Sequence, residues 1–188
     1  MKLLKKVSAW MSNRSNWKVL ILATLLFFSF IFFILPETAE RSKEAVGSGE
    51  SPDSSYIYSS TDLYRLAEAY GEEGRAYYIR SRFTFDVIWP LVYFFFLVTS
   101  LSVTFKKCSK NNLLRMVNLL PLGGLVFDYL ENVFASITMA RFPSQSPVIA
   151  EMTPVFTFIK WNFIYVSFTA LVIGIVWILL RIILRQFK

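Results

Sequence analysis

The sequence predicts an all-α, polytopic membrane protein: a four-transmembrane-helix bundle with a short interfacial helix in its first outer loop. Three observations lead there. Of its 188 residues 55% are hydrophobic and 18% aromatic, with a mean hydropathy of +0.48, which is too apolar for a soluble domain of this size. The apolar residues gather in four runs, each close to the roughly 20 residues that a helix needs to cross a hydrocarbon core. The charges between those runs are sorted by sign. Residues 1–18, 106–116 and 181–188 carry twelve bases and no acid, while residues 36–82 and 140–154 carry seven bases and ten acids. An excess of Lys and Arg marks cytoplasmic segments, so the expected placement is a multi-pass protein of the cell membrane with both termini cytoplasmic. The net charge of +7 thus reports topology and contact with anionic lipid, and nucleic acid is not an expected partner.

A basic N-terminus (1–18) precedes the first span (19–35). That span exceeds the usual h-region of a signal peptide and lacks a small-x-small cleavage site, so it reads as an uncleaved anchor. The extracytoplasmic loop (36–82) opens with a Ser-, Gly- and charge-rich stretch (39–59) that predicts a flexible linker. In SSTDLYRLAEAY, Ser60 or Thr61 offers an N-cap, and Leu63, Leu66, Ala67 and Tyr70 recur at helical spacing. The pattern predicts an amphipathic helix over 61–70, lying on the outer membrane surface and ended by Gly71. EEGRAYYIRSRF then brings Arg75, Arg80 and Arg82 to the interface beside Tyr77 and Tyr78, ahead of the second span (83–105). A basic cytoplasmic loop (106–116), the third span (117–139), a second outer loop (140–154), the fourth span (155–180) and a cytoplasmic tail (181–188) complete the chain.

The polar residues within the spans carry the functional information. At about 1.5 Å per residue, Asp86 lies about 5 Å below the outer interface and Asp128 about 16 Å up from the inner one. Glu131 and Asn132 come one turn further out, and Lys160 lies in the outer third of the fourth span. Helical spacing sorts them into stripes: Asp86, Pro90, Tyr93, Leu97 and Ser100; Pro121, Gly124, Asp128, Glu131, Asn132 and Ala135; Thr157, Lys160, Ile164, Ser167, Leu171 and Gly174. A carboxylate at this depth costs about 2.5–3.5 kcal/mol on insertion scales unless it finds a partner inside the bundle. Lys160 is expected to pair with Glu131 or Asp128, and Arg82 with Asp86 across one turn. The expected binding residues are therefore Arg75, Arg82, Asp86, Tyr93, Asp128, Glu131, Asn132 and Lys160, with Asp128 and Glu131 the candidates if there is catalysis.

Histidine is absent, which removes the commonest general base and metal ligand. Asp86, Asp128 and Glu131 offer hard oxygen ligands, but helical rise sets Asp86 about 10 Å shallower than Asp128. No metal and no cofactor is expected. The single cysteine, Cys108, excludes an internal disulfide and reads as a reduced bystander thiol, with acylation in the basic loop as the other reading.

The stretch AEAYGEEGRAYYIRSRFTFD, followed by a Pro-containing helix and by LPLGGLVFDYLEN, resembles a widespread group of small four-helix membrane proteins. That group shares a GxxGRxxY stretch, an Asp before a proline in helix two and a DxxEN motif in helix three. The matching positions are Gly71, Gly74, Arg75, Tyr78, Asp86, Pro90, Asp128, Glu131 and Asn132. The resemblance implies the fold and the choice of residues, and implies no activity. The leading expectation is a non-catalytic binding or assembly protein with an outer-half polar pocket for a lipid headgroup or a partner helix. Its expected partners are membrane lipid, another membrane protein or a second copy of itself. The alternative is an enzyme acting on a lipid-linked substrate at the outer leaflet, with Arg75, Arg80 or Arg82 holding a phosphate; a small transporter comes third.

Overall fold

The computed structural model describes residues 1–47, 51–52, 55–109 and 111–186. The chain is all-α, with no strand among the described residues, and four helical stretches are long and apolar enough to cross a membrane: Trp17–Val46, Gly71–Cys108, Leu113–Arg141 and Pro147–Gln186. Its elements are α1 (Lys2–Arg14), α2 (Trp17–Ser29), a π-helical turn (Phe30–Ile34), α3 (Leu35–Val46), α4 (Ser60–Ala69), α5 (Gly71–Arg82), α6 (Phe85–Cys108), α7 (Asn112–Arg115), a 3₁₀ turn (Met116–Leu119), α8 (Leu120–Arg141) and α9 (Pro147–Gln186). Contacts divide the chain into two units. Unit 1 comprises Met1–Phe27, Val92–Gly124 and Asn162–Lys188; unit 2 comprises Phe28–Leu91 and Leu125–Trp161.

In unit 1 the basic N-terminus, to which the sequence assigned no structure, is a docked helix. Ser8 and Ser12, one turn apart, are buried. The Ser8 hydroxyl donates to Asn118 Oδ1 at 2.7 Å, and Asn118 Nδ2 donates to the Ser8 carbonyl at 3.1 Å and to Ser102 Oγ at 2.9 Å. Lys106 Nζ donates to the carbonyls of Ser12 and Ser15, the latter at 3.0 Å. Carbonyls at a helix C-terminus lack intrahelical donors and favour a cation, so this lysine both satisfies them and fastens α1. Asn16 caps α2, accepting from the Lys18 and Val19 amides. Phe27 stacks on Phe96 with ring centroids 4.4 Å apart, and both rings lie against Phe168. A Cβ at Gly174 would come within 2.6 Å of Thr104, so the absent side chain permits that approach.

In unit 2 the first span does not give way to a linker at residue 39. Pro36 has no amide hydrogen for Phe32, a defect that ordinarily kinks a helix. The π turn before it, in which the Leu35 amide reaches Phe30, precedes a helix that continues to Val46. An exposed Glu37–Arg41 ion pair at 2.6 Å supports α3, and Gly47, with φ of 70° and its amide on Lys43 O, ends it. The flexible linker is therefore corrected to helix over residues 39–46; residues 48–50 and 53–54 of it lie outside the described residues.

The short helix α4 is present, capped by Ser59 rather than by Ser60 or Thr61. Ser59 Oγ accepts from the Asp62 amide, and the Asp62 carboxylate accepts from the Ser59 amide at 2.9 Å. Its apolar face, expected on the membrane surface, is instead buried in protein. Leu63, Leu66, Ala67 and Tyr70 form one core with Val46, Tyr78, Ala135, Met139 and Ala150. Gly71, with φ of 62°, turns the chain directly into α5, which packs on α3 through Gly74. The second outer loop also contracts, because α9 begins at Pro147, not near residue 155. Pro147 suits a first helical position, and burial of Ala150 and Thr153 fixes the added turns against protein.

Candidate functional site

Of the polar stripes expected from helical spacing, those on α8 and α9 are buried, and the one on α6 is buried except at Asp86. On α8, Pro121, Gly124, Asp128, Glu131, Asn132 and Ala135 all lie inside, as do Thr157, Lys160, Ile164, Ser167, Leu171 and Gly174 on α9. Unit 2 holds most of the predicted site residues: contacts among Arg82, Asp86, Asn132 and Asp128 join α5, α6 and α8, and the Glu131–Lys160 pair joins α8 to α9.

Arg82 ends α5 and is 6% exposed. Its Nη1 lies 3.1 Å from Asp86 Oδ2, the pairing expected across one turn, and 3.4 Å from Asn132 Oδ1, while Nη2 donates to Ser51 Oγ at 3.2 Å. The guanidinium also sits 4.4 Å over the Tyr78 ring. Asn132 donates from Nδ2 to the Asp86 carbonyl at 3.2 Å and to Asp128 Oδ1 at 3.4 Å. The amide thus bridges the start of α6 to α8, its oxygen towards the arginine and its nitrogen towards the acids. Tyr129 adds a bond from its hydroxyl to the Val87 carbonyl at 2.8 Å.

Of the two partners open to Lys160, Glu131 forms an ion pair with its ammonium. Lys160 Nζ lies 2.6 Å from Glu131 Oε2, with the residues 4% and 1% exposed. Both side chains are removed from water, so each charge depends on the other, and losing one partner costs far more than the pair contributes net. The Trp161 ring stands 5.4 Å from the same ammonium.

The structure also places Arg75 and Tyr93, the other two predicted residues. Arg75 donates to the Ala67 carbonyl at 2.9 Å and lies 4.9 Å over the Phe142 ring, where it satisfies the C-terminal end of α4. Tyr93 belongs to unit 1, where it is buried beside Gly124. Among the described residues no three His, Cys, Asp or Glu side chains converge as a metal-binding group.

Sequence reasoning missed several partners. Ser51 falls in the stretch that the sequence predicts as a linker, where a lone serine in a Ser-rich run carries no signal. Tyr58, from the same stretch, reaches Thr157 Oγ1 at 2.9 Å. The Ser8–Asn118–Ser102 cluster of unit 1 was also missed, although Ser8 and Ser12 at i, i+4 among lysines and apolar residues mark a helix face. Cys108 is buried, with its thiol donating to the Gly174 carbonyl at 3.4 Å, which favours the bystander reading over acylation. Compared with known proteins, the chain matches no family model, no curated protein and no solved structure.

Proposed function

We propose that this chain is a non-catalytic integral membrane protein that works by binding or assembly. Its buried Arg82–Asp86–Asn132 and Glu131–Lys160 network holds α5, α6, α8 and α9 of unit 2 as the frame of a site for a lipid headgroup or a partner helix. The charge asymmetry between its connections supports placing both termini in the cytoplasm and this network in the outer half of the membrane.

The observation that carries this reading is the Glu131–Lys160 pair at 2.6 Å, buried on both sides. A general acid or base must meet its substrate, and its working pKa depends on leaving the charge free to change. Glu131, at 1% exposed and committed to an ammonium, suits attachment between helices better than proton transfer. Native mass spectrometry of the wild type beside Glu131→Gln tests the proposal. Bound lipid or a defined subunit number that is lost in the folded variant supports it. A variant that keeps its fold and its adducts while cells lose turnover of a lipid-linked substrate would replace it with catalysis.

A further inference from the structure

Unit 1 carries a second feature, separate from the network of unit 2 and independent of the reading above. At the end of α6 a cavity of about 390 Å³ is lined by Lys106, Lys107, Cys108, Ser109 and Arg181. Three of these five residues are cations and none is an acid. Arg181 also borders a shallow groove of about 530 Å³ on the face of α9, lined by residues of that helix alone, Val172, Val176, Trp177, Leu180 and Leu184 among them. The two spaces share that one residue.

The groove residues are about half exposed, from 47% at Val176 to 64% at Leu184. From Val172 to Arg181 the helix rises about 14 Å, close to the roughly 15 Å of hydrocarbon in one leaflet. Arg181 stands at the junction in a fixed pose: Nη1 donates to the Cys108 carbonyl at 3.0 Å, and the guanidinium lies 5.5 Å over the Trp177 ring. A guanidinium has five N–H donors in a planar fork that suits phosphate oxygens, so one bond to a carbonyl leaves most of that capacity. Lys107 is exposed and has no ion-pair partner among the described residues. Lys106 is held by the α1 carbonyls, which orders the cavity wall.

We propose that this end of unit 1 is a binding site for an anionic glycerophospholipid, with the phosphate in the Lys106–Lys107–Arg181 cavity and an acyl chain along the Val172–Leu180 stretch of α9. The cationic cavity selects the headgroup and the groove requires the tail, so a free anion or a neutral lipid meets half of the site. Basic pockets at the ends of spanning helices hold anionic headgroups by this combination of charge and apolar contact.

The experiment is native mass spectrometry of the full chain in dodecyl maltoside, incubated with dioleoylphosphatidylglycerol or dioleoylphosphatidylcholine at equal concentration. Phosphatidylglycerol is expected to be retained about tenfold more, and the Lys107→Gln/Arg181→Gln variant to lose about tenfold of that retention. A Lys2→Gln/Lys18→Gln variant, with the same loss of net charge, should stay within about twofold of wild type. Because Arg181 touches the backbone, a drop in melting temperature of the double variant passes the test to Lys107→Gln alone, with about a threefold loss expected. Equal retention of the two lipids, or an equal loss in the distant-charge variant, overturns the proposal. So does full displacement of phosphatidylglycerol by millimolar inorganic phosphate, which would leave a site for an anion only.

Discussion

At the scale of single residues, unit 2 depends on charges that have no access to water. Replacing Lys160 by Met leaves Glu131 without its ammonium, a loss of about 3–5 kcal/mol when one member of a buried pair is removed. Thermal unfolding in detergent should register this as a fall of about 10 °C. Adding Glu131→Leu to that variant should restore most of it, since apolar residues of similar size can replace a buried pair at little cost. An unchanged melting point in Lys160→Met would show that the 2.6 Å contact contributes nothing. Gly123 tests packing in unit 1 in the same way. A Cβ there would lie 2.6–2.7 Å from the Phe163 ring, so Gly123→Ala must displace a packed aromatic and should cost about 1–3 kcal/mol. Retained stability would mean that the ring moves freely.

Elements behave according to how their ends are satisfied. The carboxyl of Asp62 sits below the usual carboxylate range because the Ser59 hydroxyl and amide both donate to it. Its folded pKa lies under the unfolded value, so the stabilisation is complete above that value and is lost as pH falls through it towards the folded one. Hydrogen exchange corrected for intrinsic rates should show the first turn of α4 opening below about pH 4, the ordinary range for Asp. Ser59→Ala should open the same turn already at pH 7; protection unchanged by either would count against the capping box. Helix α1 presents a different case. It is fastened by Asn118, whose side chain is fully buried and bonded to Ser8 and Ser102. Asn118→Ala should raise exchange across Lys2–Arg14 while leaving α9 unaffected, and a protected α1 in that variant would place its docking elsewhere.

For the molecule as a whole, orientation is the property to test, and the single cysteine makes the test clean. Cys108 is 7% exposed and bonded to Gly174, so the wild type should resist maleimide until it unfolds. Against that unreactive background, Ser144→Cys in the turn before α9 should label from outside intact cells with an impermeant maleimide. Asn13→Cys on the exposed side of α1 should label only after permeabilisation. The opposite pattern would invert the topology that the charges predict.

Much of this architecture is legible in the amino-acid order, because lipid offers a backbone no hydrogen bonds and forces each apolar run into a helix. Period then decides which residues face inward, which is why the stripes through Asp128 and Lys160 can be drawn without coordinates. The Arg82–Asp86 pair is equally local. What lies beyond is set by distance along the chain. Whether Lys160 takes Glu131 or Asp128 depends on how α9 is rotated against α8, and both acids lie within one turn on the same face. The continuation of α3 past Pro36, the burial of α4 in protein rather than at a surface, and the docking of α1 on Asn118 all rest on partners dozens of residues away. Ser51, Tyr58 and Ser8 have nothing in their neighbourhoods that names those partners. Helical period and the absence of water thus dictate, from the order of residues alone, how many runs are long and apolar enough to cross a membrane, which faces they bury and which polar residues those faces carry. Which of those residues touch emerges from the packing of helix on helix, since such a contact is not contained in the order of residues within either.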